Sequence, residues 1–319
     1  ANAAVAETTA IPPGTRRRAT FAAKRLASGV VLGFAERASH RLVDLAECPV
    51  LVPALAGLAP RLRDLLGRLL GKGEECDVAL TATETGVEMT LVRARAPALA
   101  EREALAAFAD AEDLARIAWR ARTTRAAEPI AARRTPLVRF GGYAIAVPPG
   151  GFLQPSVEGE AALTSLVRAG LGAIQGEMVD LFSGLGTFAF PAMAAARVRA
   201  FDGDAESVAA LDAAIRANGL TGRLSATRRD LFRDPLSPVE LDRYAAAVID
   251  PPRAGAEAQS RMLAESRVPT IVAVSCDPVS FARDAAILTA GGYRLTKVTP
   301  VDQFAWSPHV ELVSLFARG

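Results

Sequence analysis

The sequence predicts a two-domain α/β protein, with a smaller α+β domain over residues 1–147 and a doubly wound parallel sheet over residues 148–319. Three observations predict it. The chain has 319 residues, enough for two separate cores. Half of them are hydrophobic and 23% are charged, which is a globular balance. From about residue 156 onward, short β-branched runs alternate with helical patterns, as expected of a parallel sheet covered by helices.

In the N-terminal part, residues 15–45 alternate apolar and polar side chains through Thr20-Phe21-Ala22-Ala23, Gly29 to Phe34 and Arg41 to Leu45. With Ser28-Gly29 as a turn, they read as short antiparallel strands. Between Pro49 and Leu70, Leu58, Leu62, Leu65, Leu66 and Leu69 recur at helical spacing and stop at Gly71, so this stretch reads as an amphipathic helix. Residues 77–94 read as a hairpin turning at Glu84-Thr85-Gly86. Residues 98–120, rich in Ala and Glu, read as a second helix, and the Arg-rich stretch 122–135 as a linker.

The C-terminal part reads as a regular series. A helix over 158–173 precedes a strand over 178–182 and a Gly-rich loop with its helix. A strand over 198–202, a helix over 205–217 and a short strand over 224–227 follow. Next come a strand over 246–250, a helix over 257–265 and an apolar strand over 271–275 that ends at Cys276. A helix over 278–289 and a hairpin of 292–299 with 309–317 complete the series.

Net charge is +2, but residues 1–150 are net basic and the remainder net acidic. Nearly all the cations are Arg, whose planar fork suits phosphate. The run Arg16-Arg17-Arg18, with Lys24 and Arg25 nearby, is either a solvated face or a nucleic-acid contact. No apolar stretch is long and charge-free enough to span a bilayer, and residues 1–10 lack the basic start and apolar core of a signal peptide. Three scattered cysteines form no disulfide framework. A cytoplasmic protein without a membrane partner is the expectation.

The chemistry concentrates at strand ends. In an open α/β sheet, ligands bind at that edge. Cys276 is placed there as either a nucleophile or a small packed thiol. The loop Asp180 to Ala189 carries Gly184 and Gly186, which permit a tight turn against a ligand. Asp202, at the end of the next strand, is placed to take the two hydroxyls of an adenosine ribose. Asp180 opposes a diphosphate in the same crevice and suits a cationic ligand such as S-adenosylmethionine. In Ile249-Asp250-Pro251-Pro252-Arg253, two prolines fix the backbone just past a strand, and Gly255 permits the turn after it. Methyltransferases acting on amino groups of bases place an aromatic residue after such prolines. Arg253 stands there instead.

Together, Asp180 through Ala189, Asp202, Asp250 through Gly255, Ser275-Cys276-Asp277-Pro278 and His309-Val310-Glu311 resemble the RNA uracil-C5 methyltransferase family. Its members make 5-methyluridine in tRNA and 23S rRNA. The resemblance runs through residues 150–319 and extends more weakly to Arg16-Arg17-Arg18 and Glu47-Cys48-Pro49. It implies a Rossmann-like methyltransferase domain, S-adenosylmethionine as cofactor, and RNA as partner (23S rRNA first, tRNA second) of a monomeric enzyme. It further implies Cys276 as the nucleophile that adds to uracil C6 and Glu311 as the base that removes the C5 proton. Gln154, Phe182, Thr187, Asp202, Asp230 and Asp250 fall on the family's cofactor-binding positions. Phe152 is placed either at the mouth of the site or in a core. His309 and Glu311, two apart on the last strand, would share one face.

Some positions depart from the family pattern. Asp277 replaces the usual Asn, and an anion there should raise the pKa of Cys276 unless a cation such as Arg253 offsets it. Thr187 stands where the bacterial rRNA enzymes often have Asn. Many members begin with a small RNA-binding β-barrel and three closely spaced cysteines that, with a fourth, hold a four-iron, four-sulfur cluster. Cys48 resembles that fourth ligand, the other three would lie before residue 1, and Cys76 is not spaced to replace them. The rival readings are methylation of another base atom, such as cytosine C5 or a guanine amine, an NAD(P) oxidoreductase, and a non-catalytic RNA-binding relative.

Overall fold

The computed structural model describes residues 3–36, 39, 41–124 and 126–318. Packing divides the chain into two compact units. The smaller is Pro13–Val138 with Ala146–Val157, and the larger combines the segment up to Pro12, Arg139–Ile145 and the chain from Glu158 onward. This division differs from a boundary at 147/148. Strands Ala4–Val5 and Thr9–Ala10 pair in parallel with Tyr293–Asp302 of the larger unit. A sheet edge offers free backbone donors and acceptors to any extended segment, so this pairing needs no side-chain pattern.

The smaller unit holds a seven-stranded sheet. Its order is Leu42–Asp44, Gly29–Ala35, Arg18–Leu26, Glu75–Thr83, Gly86–Val92, Arg116–Arg120 and Glu128–Ala132. Helix Ala59–Leu69 lays Leu62, Leu65, Leu66 and Leu69 into its core. Three expectations change here. The long helix from Pro49 is two helices, Pro53–Ala56 and Ala59–Leu69, separated at Gly57 and Leu58 with a proline opening each. The stretch 98–120 is helix Leu99–Ala111 followed by strand Arg116–Arg120, separated at Asp113, whose φ is 50°. The stretch 122–135 contains strand Glu128–Ala132, antiparallel to its neighbour. Its β-branched content is a single Ile, too little to signal a strand.

The larger unit holds a nine-stranded sheet. Five parallel strands lie in the order Leu224–Arg228, Arg197–Asp202, Glu177–Leu181, Ala246–Ile249 and Thr270–Ser275. The antiparallel pair Glu311–Arg318 and Tyr293–Asp302 extends it. Central strands read as continuous apolar runs because both faces are covered. Glu177–Leu181 comes first in the chain, yet its neighbours on either side are Arg197–Asp202 and Ala246–Ile249. The winding therefore reverses at this strand, and the reversal opens a crevice at the carboxyl ends of Glu177–Leu181 and Ala246–Ile249. Residues 180–187, 202 and 250 lie at that edge.

Candidate active site

The crevice is built from acidic side chains on strand ends. Asp180, on the central strand, is fully buried, and no hydrogen bond of good geometry reaches either carboxylate oxygen. Burial, then Asp250 and Asp202, push its pKa well up, with only the Ala189 amide opposing. Asp202 ties the second strand to the loop. Its Oδ2 accepts from the Gly184 amide at 2.8 Å and its Oδ1 from the Asp204 amide at 2.7 Å. Each oxygen keeps acceptor capacity for a ligand hydroxyl.

The loop itself needs left-handed backbone. Gly184 has φ 52° and Gly186 φ 90°. A Cβ on Gly186 would stand 2.9 Å from Leu211 Cδ1 and 3.0 Å from the Phe190 ring. Phe182 is also left-handed, at φ 63°, and its ring lies 5.3 Å from that of Phe232. Phe232, 49% exposed, belongs to none of the sequence motifs. Its position two residues past Asp230, whose Oδ1 accepts from the Phe232 amide at 3.1 Å, was the available signal. Asp230 is exposed and Thr187 half-buried.

This donor set fits a cationic adenosine ligand. A buried carboxyl with no full hydrogen bond is stabilised by an ammonium or sulfonium and destabilised by a pyrophosphate. S-Adenosylmethionine satisfies it, with Asp202 left for the ribose. A dinucleotide does not.

The reacting end lies one strand further along. Asp250 ends Ala246–Ile249, its amide donating to the Leu181 carbonyl at 3.2 Å. It is only partly covered, yet the protein around its carboxyl, then Glu311 and Asp202, push its pKa up to about 8. Gly255, at φ 75°, turns the chain back below Arg253, and the Ala256 amide donates to Asp284 Oδ2 at 2.6 Å. Cys276 follows Thr270–Ser275 and is half-buried. The antiparallel ladder pairs Ser275 with Leu312, so Cys276 and Glu311 both lie one step beyond that pair. Glu311 is buried, and burial raises its pKa to about 7.

Asp277 is not the neighbour that controls the thiol. It caps helix Pro278–Ala290, its Oδ2 accepting from the Ser280 amide at 2.9 Å, and Arg253 Nε stands 3.7 Å from its Oδ1. These contacts lower its own pKa. The Cys276 thiol is pushed up to about 11 by burial first, then Glu311 and Asp250, with Asp277 the least of these causes. Asp277 does raise the thiol pKa, and Arg253 stands beside it as expected, but burial, Glu311 and Asp250 outweigh it. The expectation for His309 is corrected. The last strand begins at Glu311, and His309 is exposed in the preceding loop, its ring 6.0 Å from Phe304.

Gln154 packs within the smaller unit. It is buried, and its carbonyl accepts from Arg17 Nε at 3.0 Å. Arg18 Nη1 donates to the Leu153 carbonyl at 2.6 Å, and its guanidinium lies 4.5 Å from the ring centre of exposed Phe152. The arginine run therefore clamps the backbone of 153–154 as well as adding charge. Burial, then Arg16 and Arg17, lower the Arg18 pKa to about 10. Cys48 is half-buried, whereas Cys76 is a core thiol that burial pushes up to about 12. Among the described residues, no group of three or more His, Cys, Asp or Glu is arranged to hold a metal. No helix among them is long and apolar enough to cross a membrane.

Residues 143–318 match the model of the tRNA (uracil-5-)-methyltransferase family. The chain belongs to that family. It is an S-adenosylmethionine-dependent RNA methyltransferase of the uracil-C5 type. An uncharacterized RNA methyltransferase of Brucella suis is 44% identical over 99% of this chain and 74% of its own length. A 23S rRNA (uracil(1939)-C(5))-methyltransferase of Halomonas elongata is 34% identical over 95% of this chain and 65% of its own. The fold matches a solved tRNA (uracil-54, C5)-methyltransferase of Pyrococcus abyssi in complex with S-adenosyl-L-homocysteine. The TM-score is 0.75 at 21% identity, over 98% of this chain and 79% of that one.

Proposed function

We propose that this methyltransferase modifies C5 of a uridine in 23S rRNA through a covalent bond between Cys276 and uracil C6. The observation that supports the reading is the ladder pairing of Ser275 with Leu312, with Cys276 and Glu311 one step beyond it and Asp250 just past the end of Ala246–Ile249. The Halomonas relative supports rRNA over tRNA. When bound, S-adenosylmethionine supplies an electrophilic methyl group, with Asp180, Asp202, Asp230, Asp250, Phe182 and Thr187 as its binding residues.

The chain's own residues carry the remaining steps. Uracil C5 is a weak nucleophile. Addition of the Cys276 thiolate to C6 moves an electron pair toward C5 and O4, which makes C5 reactive. After methylation, the Glu311 carboxylate takes the C5 proton. The freed pair forms the C5–C6 double bond, and the Sγ–C6 pair leaves with sulfur as thiolate. The target uridine must leave its stack to reach the crevice. The test uses RNA containing 5-fluorouridine, which has no C5 proton to lose. The enzyme is expected to be trapped on it, and Cys276→Ala to be neither trapped nor active. Full activity of Cys276→Ala would sink the mechanism, and a methyl group mapped by mass spectrometry to another base atom would sink the substrate.

A further inference from the structure

Gln303 is 6% exposed, and neither its amide oxygen nor its amide nitrogen makes a hydrogen bond of good geometry. A buried amide in that condition costs on the order of 1–3 kcal/mol per unmet group, so its retention calls for a reason. Its place in the fold gives one. Val301 lies opposite Glu311 in the ladder, and Gln303 follows Val301 by two residues, just past the strand end. Alternation places Gln303 on the Glu311 side and Asp302 on the other. Asp302 is in turn engaged by the Phe304 amide, which donates to its Oδ1 at 3.2 Å.

The other ionisable groups around Glu311 are of one sign. Cys276 and Asp250, at the ends of their strands, both become anions on ionisation, and the Glu311 charge raises the pKa of each. His309 is exposed in the loop. Gln303 is the group that lowers the proton affinity of Glu311 against its burial. An amide N–H steadies a carboxylate without adding a formal charge, whereas Lys or Arg would add one.

We propose that Gln303 is a positioning residue for proton removal, its amide nitrogen holding the Glu311 carboxylate in the orientation and charge state that accept the C5 proton. The proposal rests on the uracil-C5 reading above. In the step concerned, the proton passes from C5 to a Glu311 oxygen, the C–H pair becomes the C5–C6 double bond, and the Cys276 sulfur leaves with its own pair. Without the amide, addition and methylation proceed, and release of the methylated RNA slows.

The test follows single-turnover release with uridine RNA and S-adenosylmethionine across pH 6 to 9. For Gln303→Met, the expected result is accumulation of a methylated covalent adduct. Release should be roughly fivefold slower at pH 7, with its half-maximum moved upward by about one pH unit. Gln303→Glu keeps the size but adds an anion, and should move the midpoint further upward. It serves alone if the Met variant does not fold. A general structural weakening would lower amplitude and S-adenosylhomocysteine affinity without moving the midpoint. Release and pH midpoint equal to wild type in either folded variant overturn the proposal. Absence of any covalent adduct in the wild type overturns the uracil-C5 mechanism instead.

Discussion

Cys276 and Glu311 both lie one step beyond the Ser275–Leu312 pair that ends one antiparallel ladder. After burial, Glu311 is the strongest cause that pushes the Cys276 thiol up to about 11. The carboxylate suited to take a proton late in the reaction therefore opposes thiolate formation early in it. Cationic ligands in the crevice relieve that opposition by balancing the acidic groups.

Glu311→Gln should separate the two effects. Removing the charge lowers the Cys276 pKa and enlarges the thiolate fraction at pH 8. Alkylation of Cys276 by iodoacetamide should then speed up, by about tenfold if the pKa falls by one. Turnover is lost because the proton acceptor is gone. Mass mapping assigns the labelled thiol, with Cys76 buried and inert as the internal reference. Unchanged or slower alkylation of Cys276 would contradict the coupling.

The buried acids also set a pH dependence of stability. Glu311 and Asp250 rise to about 7 and about 8 from ordinary values of 4.5 and 3.8. An acid whose pKa is raised by folding stabilises fully while protonated in both states, and that contribution is lost as pH climbs through the folded value. Glu101 and Glu240, held down to about 2 by arginines, act in the opposite sense but only at acid pH. The thermal midpoint should therefore fall between about pH 5 and pH 8.5. Asp250→Asn should flatten the fall, and S-adenosylmethionine should reduce it by countering the anions. A midpoint that rises through this window would refute the assignment.

The alternation of strands and helices after residue 156 was legible in the sequence because both faces of a parallel sheet demand apolar runs, as in Ala246-Ala247-Val248-Ile249. The site residues were legible where a turn residue or a proline marked a strand end, as at Gly184, Pro251 and Pro278. Strand Arg116–Arg120 was not, because Ala- and Glu-rich helix Leu99–Ala111 runs into it with no Gly or Pro between. The strands before Pro12 join a distant edge through backbone pairing, which no local pattern records. Gln303 and the ladder register of Glu311 depend on which strands pair, and a single sequence does not state that.

Asp277 makes a test of which neighbour matters. As the helix cap, Asp277→Ala should cost about 1 kcal/mol in denaturant unfolding. Asp277→Asn keeps a capping oxygen while removing the charge. Because burial, Glu311 and Asp250 outweigh Asp277 at the thiol, the pH midpoint of Cys276 alkylation in this variant should stay close to wild type, within about 0.3. A midpoint displaced by a full pH unit would restore Asp277 as the controlling neighbour.

Gly186 tests the crevice independently of the thiol. Its φ of 90° is unfavourable for any residue with a Cβ. An added Cβ would also press on Leu211 at 2.9 Å and on the Phe190 ring at 3.0 Å. Gly186→Ala must then shift the loop or strain it, at a cost of roughly 1–3 kcal/mol. The displacement would move Gly184, whose amide holds Asp202, so ribose recognition should weaken with it. Calorimetric titration with S-adenosylhomocysteine should show an affinity loss of at least about tenfold, corresponding to roughly 1.4 kcal/mol. Cys276 alkylation in the ligand-free protein should stay near the wild-type rate, because neither the ladder nor Glu311 is touched. Wild-type affinity in the folded variant would place the adenosine ligand away from this loop.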